Sequence, residues 1–317
     1  MDSPDEATDE LDPQFADVLW NGRAADLPAW HSMSVADARR VEDEVFSAGD
    51  GPAVDRVDHR RIDGPGGDLP VRIYWPTPEG TDEELPALVF AHGGGWVLGT
   101  LDSADDLCRA FATHIGAAVI SVDYRLAPEH PFPAAVEDVR AAFEWAHDNA
   151  ASLEVDPDRL GVAGSSAGAG LAAAVALETR ECDVSPAAQL LCYPILERDF
   201  ETRSYREHAD ASLLSRGDME WFWEQYLAEP SDADDPRAAP LRAETVAGAP
   251  PAVIATAGHD VLRSEGVAYA DRLQAVGVET RHCHYPSLAH GFLSLTEAVD
   301  RAETAMDEVT AAAAETL

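Results

Sequence analysis

The 317-residue sequence predicts an α/β fold, with a mostly parallel central sheet flanked by helices. Two observations predict it. From about residue 56 onward, short apolar runs alternate with longer helical stretches, a pattern that builds parallel sheets covered by helices. In addition, the two most distinctive glycine-rich motifs each follow directly after such a run. No internal repeat is visible, and roughly 300 residues of this class often share a single core.

The strand elements follow in order. Residues 55–62 are expected to pair ahead of 71–75 as an edge hairpin, and 87–91, 117–122 and 160–163 are apolar runs of strand length. Residues 189–193, 253–257 and 279–285 complete the expected sheet. Helices are expected at 103–115, 136–149, 167–180 and 265–276, between these strands. Two segments stand outside the alternation: residues 1–50, and an insertion at about 197–240 within a main domain of 51–317. Within the insertion, Ser215-Arg-Gly-Asp218 reads as a capping box, and Met219, Phe222, Trp223, Tyr226 and Leu227 follow on one helical face. Such a stripe serves packing in most helices. Its position between two core strands is where a lid would sit, so both segments are read as a cap.

Composition narrows the function. The 59 Asp and Glu residues face 22 basic ones, every one of them Arg, for a formal net charge of −37. In dilute buffer such a surface repels itself, whereas molar salt contracts the Debye length to about 3 Å. The composition therefore predicts a cytoplasmic protein adapted to high salt. It also argues against a nucleic-acid partner, which needs a basic patch. The first fifteen residues, MDSPDEATDELDPQF, have no basic or apolar stretch of a secretory signal, and no apolar run approaches a membrane span of about 20 residues. Cys108, Cys182, Cys192 and Cys283 are scattered without a C-x-x-C pair, so reduced thiols are expected and neither a metal nor a cofactor is implied. A homo-oligomer is compatible with the sequence but not specified by it.

The chemistry sits in three motifs. Gly164-Ser165-Ser166-Ala167-Gly168 is a G-x-S-x-G lying between an apolar strand and an Ala-rich helix, the setting in which a sharp turn exposes a nucleophilic serine. The following helix aims its free N–H groups at developing negative charge. His92-Gly93-Gly94-Gly95-Trp96 follows the 87–91 run, and consecutive glycines let backbone amides approach a reacting oxygen. Gly94, Gly95 and Ala167 are the expected oxyanion donors. A phosphate-binding loop is the bland alternative, but the lysine of a P-loop is missing. His290 lies beyond the last expected strand and Asp260 just after 253–257, so the order Ser166, Asp260, His290 is that of the α/β-hydrolase triad. His259, His282 and His284 are read as packed or solvated side chains, and Glu265 as a helix residue, leaving Asp260 the better acid.

At these motifs the chain resembles the hormone-sensitive-lipase-like, or family IV, esterases. The matching stretches are HGGGWVLGTLDSAD from His92, DYRLAPEHPFPAA from Asp123, GSSAG, GHDVLRSEG from Gly258, and HGF at His290, in order across about two hundred residues. The resemblance implies an α/β-hydrolase fold, the triad Ser166, Asp260 and His290, the oxyanion amides, and a cap of N-terminal and inserted helices. It also implies small-molecule ester substrates with short to medium acyl chains, hydrolysed through an acyl-enzyme. Four positions depart from the family pattern: Ser165 stands where Asp or Thr is common, Ala169 replaces a glycine, and in the acid loop Val261 and Ser264 replace a proline and a second Asp. Enzymes acting on lactones or amides, and a non-catalytic small-molecule receptor resembling the plant gibberellin receptor, are the competing readings of this scaffold.

Overall fold

The computed structural model describes residues 10–21, 28–46, 51–76 and 84–317. Residues 1–9, 22–27 and 47–50 of the expected N-terminal cap segment lie outside the described residues. The sheet has eight strands: β1 (Arg56–Gly64), β2 (Gly67–Trp75), β3 (Leu85–Ala91), β4 (Ala118–Val122), β5 (Val155–Ser165), β6 (Gln189–Cys192), β7 (Ala252–His259) and β8 (Thr280–Ala289). They lie in the order β1-β2-β4-β3-β5-β6-β7-β8. Only β2 runs against the others. It pairs antiparallel with both β1 and β4, while every pairing from β4 to β8 is parallel.

Every expected strand is present, and β5 and β8 extend further than their apolar runs. The extra residues at the start of β5, such as Asp156 and Asp158, are half-buried or exposed and show no apolar signature. The helices are α1 (Pro13–Asn21), α2 (Val35–Val45), α3 (Asp105–Ile115), α4 (Ala134–Asp148), α5 (Ala150–Leu153), α6 (Ala167–Thr179), α7 (Arg203–Glu207), α8 (Arg216–Tyr226), α9 (Arg263–Ala275) and α10 (Asp300–Thr316). Helix α3 starts after Ser103, whose hydroxyl instead accepts the Thr100 amide at 2.9 Å and closes a turn. Helix α10 is an addition to the expected set. Its buried face is made mostly of alanines, Ala302, Ala305, Ala312 and Ala313 with Met306 and Val309, a weak contrast that blurs the helical period.

Side-chain alternation along the strands divides the core in two. Leu88 and Phe90 of β3 join the layer with Phe111 of α3, Met306 of α10 and Phe15 of α1. Ala87, Val89 and Ala91 face the other layer, with Val139 and Phe143 of α4 and Tyr269 of α9. A strand buried on both faces needs apolar residues at every position, as a parallel sheet requires. Each fully buried Leu, Val or Phe contributes roughly 1.5–3 kcal/mol.

Helix α6 packs closest of all. A Cβ on Gly168 would lie 2.0 Å from the Ala91 carbonyl oxygen, and one on Gly170 would lie 2.2 Å from that of Ile195. Glycine at both positions therefore lets the helix start directly against the end of β3 and the segment just after β6.

The insertion carries α7 and α8. The capping box at Ser215 and Asp218 forms as expected, and Met219, Phe222, Trp223 and Tyr226 are buried. They pack on the glycine-rich loop: Trp96 stacks on Tyr226 with centroids 4.1 Å apart, and the Phe222 ring fills the space where a Gly95 side chain would be. The N-terminal segment meets α8 where His31 Nδ1 and the Asp218 carboxylate lie 2.8 Å apart.

Candidate active site

The parallel strands end side by side, and their connecting loops bring the candidate residues together. Ser166 sits between β5 and α6 with φ 53° and ψ −118°, a region that L-residues rarely occupy. Its amide donates to the Cys192 carbonyl at 2.8 Å, and its own carbonyl accepts the amides of Ala169, Gly170 and Ile195. This backbone clamp holds the strained turn. Gly164 is required beside it, since a Cβ there would meet the Gly168 carbonyl carbon at 2.3 Å.

His290 lies on the loop after β8. Its Nε2 is 3.0 Å from Ser166 Oγ, and its Nδ1 is 2.8 Å from Asp260 Oδ2. Asp260 follows β7, is 2% exposed, and accepts the Leu262 amide through Oδ1 at 2.9 Å. With Nδ1–H directed to the carboxylate, Nε2 is left as the acceptor for the serine proton. The sequence also left Glu265 to be weighed. It is equally buried, but its Oε2 accepts the amides of Leu196 and Glu197 at 2.6 and 2.8 Å, and its Oε1 the Tyr205 hydroxyl at 3.2 Å. Burial pushes its pKa up to about 8.

The departures in the acid loop have partners of their own. Ser264 Oγ accepts the Ser204 amide at 3.1 Å and the Ser264 amide reaches Ser204 Oγ at 3.2 Å. Ser204 Oγ in turn donates to the Val261 carbonyl at 2.6 Å. The loop is thus fastened to α7 through hydroxyls.

Gly93 lies against the serine: a Cβ there would stand 3.4 Å from Ser166 Cβ. The next residues turn sharply, with φ 106° at Gly94 and 60° at Gly95, and the Val97 and Leu98 amides close on the Gly94 carbonyl at 3.1 and 2.8 Å. Ala167 opens α6, where the first amides have no intrahelical acceptor. The DYRLAPEH stretch braces this loop from behind: Tyr124 donates its hydroxyl to the His92 carbonyl at 2.9 Å and stacks on the His92 ring. Burial lowers the His92 pKa to about 4, which keeps that ring neutral.

Two neighbours escaped the sequence reading. Tyr193 has φ 41°, and its ring meets that of His290 edge-on at 4.9 Å. Its position directly after β6, beside the elbow strand, was the available signal. Phe222 against Gly95 could be foreseen only as part of an apolar stripe. His282 and His284 stand apart from the site, both within 2.9 Å of the Thr256 hydroxyl. Among the described residues no group of three or more His, Cys, Asp or Glu could hold a metal, and no helix is long and apolar enough to cross a membrane. The four cysteines are free thiols.

A cavity of about 140 Å3 opens beside His290, walled in part by Leu19, Leu213, Leu214, His208 and His259. A serine hydroxyl in a strained strand-to-helix turn, an imidazole on it and a carboxylate behind the imidazole are the geometry of a serine hydrolase built on the α/β-hydrolase fold.

Residues 88–294 match a family model described as alpha/beta hydrolase fold. The chain is 46% identical to the carboxylic ester hydrolase LipN of Mycobacterium tuberculosis over 242 residues, 74% of this chain and 63% of that protein. It is 34% identical to the ethyl acetate hydrolase of Pseudomonas putida over 303 residues, 92% of this chain and 95% of its relative. An ester hydrolase from the Lake Arreo metagenome, solved with a bipyridine phosphonate derivative, superimposes with a TM-score of 0.91 at 40% identity, covering 96% of this chain and 98% of that one. The chain belongs to the hormone-sensitive-lipase-like group of the α/β-hydrolase family, the family IV esterases, and is a hydrolytic enzyme of that group.

Proposed function

We propose that this protein is a serine carboxylesterase that hydrolyses small esters of short to medium acyl chain through an acyl-enzyme, and that it is adapted to a high-salt cytoplasm. The observation that carries the reaction is the unbroken hydrogen-bonded chain from Asp260 through His290 to Ser166. In the proposed cycle His290 Nε2 takes the Ser166 proton as Oγ attacks the ester carbonyl. The amides of Gly94, Gly95 and Ala167 stabilise the resulting oxyanion. Collapse expels the alcohol, which receives its proton from His290, and a water activated by the same imidazole releases the acid. Asp260 holds the Nδ1–H tautomer and stabilises the imidazolium without itself being protonated. No cofactor enters these steps.

The residues around α2 and α7–α8 serve as the cap in this reading, and the cavity of leucines and histidines beside His290 is where a substrate's acyl or alcohol part would lie. All three triad members stand in contact, which favours turnover over a receptor role.

The test is hydrolysis of p-nitrophenyl esters of increasing chain length by the wild type and by Ser166→Ala. Turnover should peak at short acyl chains and fall by about 10⁶ in the variant. Unchanged activity in Ser166→Ala would overturn the mechanism, and an optimum on long insoluble esters would overturn the substrate range. For salt, the net charge of −37 is the supporting observation. Melting temperature and activity should both rise from about 0.1 M to about 3 M KCl as screening strengthens. A flat response would remove the salt adaptation and the inferred compartment with it.

A further inference from the structure

The oxyanion loop holds an unfavourable conformation. Gly94 and Gly95 have positive φ, and Trp96 follows at φ 63°, where a side chain as large as indole costs of order 1–3 kcal/mol. A segment of this kind persists only where its surroundings over-determine it. Helix α8 restrains one side, through Tyr226 stacked on the Trp96 ring and Trp223 tilted against it. The other side is held by the N-terminal helix α2.

Arg39 of α2 donates from Nε to the Val97 carbonyl at 2.9 Å and from Nη2 to the Ala127 carbonyl at 2.9 Å. The Ala127 amide in turn donates to the Trp96 carbonyl at 2.9 Å, so one guanidinium ties the loop to the segment behind it. Glu129 fixes the guanidinium through two further bonds at 2.8 and 2.7 Å. One turn along, Glu42 is buried, with the backbone of Gly99 and the Ser103 side chain beside its carboxylate. The i, i+3 spacing puts Arg39 and Glu42 on one face of α2. That face meets the loop just past its glycines, at Val97 and at Gly99.

We propose that Arg39 and Glu42 are positioning residues for ester hydrolysis: they hold the oxyanion loop so that the Gly94 and Gly95 amides stay aimed at the developing oxyanion. The helix thereby acts on the chemical step as well as covering the site. This rests on the proposed donor role of those amides. A misplacement of about 1 Å at a reacting group can cost 10²-fold, and losing a donor altogether costs about 10²–10³.

The experiment compares Arg39→Ala, Glu42→Ala and Glu42→Gln with the wild type in the full-length protein. Arg40→Ala serves as control, since Arg40 lies on the same helix, is 60% exposed in its side chain and pairs only with Asp37 and Glu44 among the described residues. On p-nitrophenyl acetate, Arg39→Ala and Glu42→Ala should lower kcat by about tenfold to a hundredfold with KM within about twofold. Glu42→Gln keeps a side-chain acceptor and should recover most of the loss.

A second readout isolates the oxyanion. An alkyl trifluoromethyl ketone adds Ser166 Oγ to its carbonyl carbon, the serine proton passes to His290, and the carbonyl π pair becomes the alkoxide oxygen held by the amides. Its inhibition constant should rise across the variants in proportion to the fall in kcat/KM. Folding is checked by thermal melts, and a variant that fails to fold is replaced by Arg39→Gln or Glu42→Ser. Folded variants that bind the ketone as tightly as the wild type, or that lose only melting temperature, would overturn the proposal. A wild type that the ketone does not inhibit, or a Ser166→Ala enzyme that still hydrolyses ester, would instead overturn the underlying mechanism.

Discussion

Asp260 and Glu265 are carboxylates five residues apart, each 2% exposed, and they do different things. Asp260 lies in the loop after β7, where one oxygen reaches the Leu262 amide and the other the His290 ring. Glu265 lies in the first turn of α9, turned toward the insertion, where its oxygens hold the amides of Leu196 and Glu197 and the Tyr205 hydroxyl. Burial alone does not distinguish an acid that orients an imidazole from one that pins a backbone. The partner does, and the partner depends on which side of the β7–α9 turn the residue falls.

The largest expected break in this comparison is Asp260→Asn. The amide can no longer hold the productive tautomer, and turnover should fall by about 10⁴, with Ser166→Ala adding little when combined, because members of one triad do not act independently. A product of the separate factors in the double variant would contradict a shared mechanism. Glu265→Ala addresses the other carboxylate. It leaves two amides and a hydroxyl unpaired in the interior and should destabilise the fold by about 2–5 kcal/mol, with activity per folded molecule near wild type. Crippled activity in stable Glu265→Gln beside an active Asp260→Asn would exchange the two roles.

A pH series sharpens the contrast. Because burial raises Glu265 from 4.5 to about 8, its stabilising contribution is full below about pH 4.5 and is lost as the pH climbs through about 8. The melting-temperature advantage of wild type over Glu265→Gln should therefore shrink across that window. A difference that grows with pH would mean that the three hydrogen bonds outweigh burial. The smallest effect belongs to the hydroxyl link. Ser264→Ala should cost about 1 kcal/mol in a denaturant melt and change kcat by no more than about threefold, since the Val261 carbonyl keeps its bond from Ser204.

The same division runs through what could be read in advance. The elbow around Ser166 was legible because its requirements are local: Gly164 and Gly168 stand where a Cβ would strike backbone within 2.3 and 2.0 Å, and a strand must precede and a helix follow. His290 was legible from its order in the chain. The role of Glu265 was not, because its partners Leu196, Glu197 and Tyr205 are about sixty or more residues away. Helix α10 was hidden by the low contrast of its alanine face, and the position of Tyr193 against His290 by the absence of any spacing rule that links β6 to the loop after β8.

By itself the sequence determined the α/β alternation, the family, the strand-to-helix turn at Ser166 and the capped aromatic helix, since each rests on residue types in patterns whose sterics and hydrogen bonds are largely settled nearby in the chain. The tertiary structure decided which carboxylate meets the imidazole and how α7 is fastened to the acid loop. It also decided that Arg39 and Glu42, unremarkable in an acidic N-terminal helix, lie against the loop of Gly94 and Gly95. These contacts join segments tens of residues apart. Their geometry depends on strand order and helix packing, which no local pattern encodes.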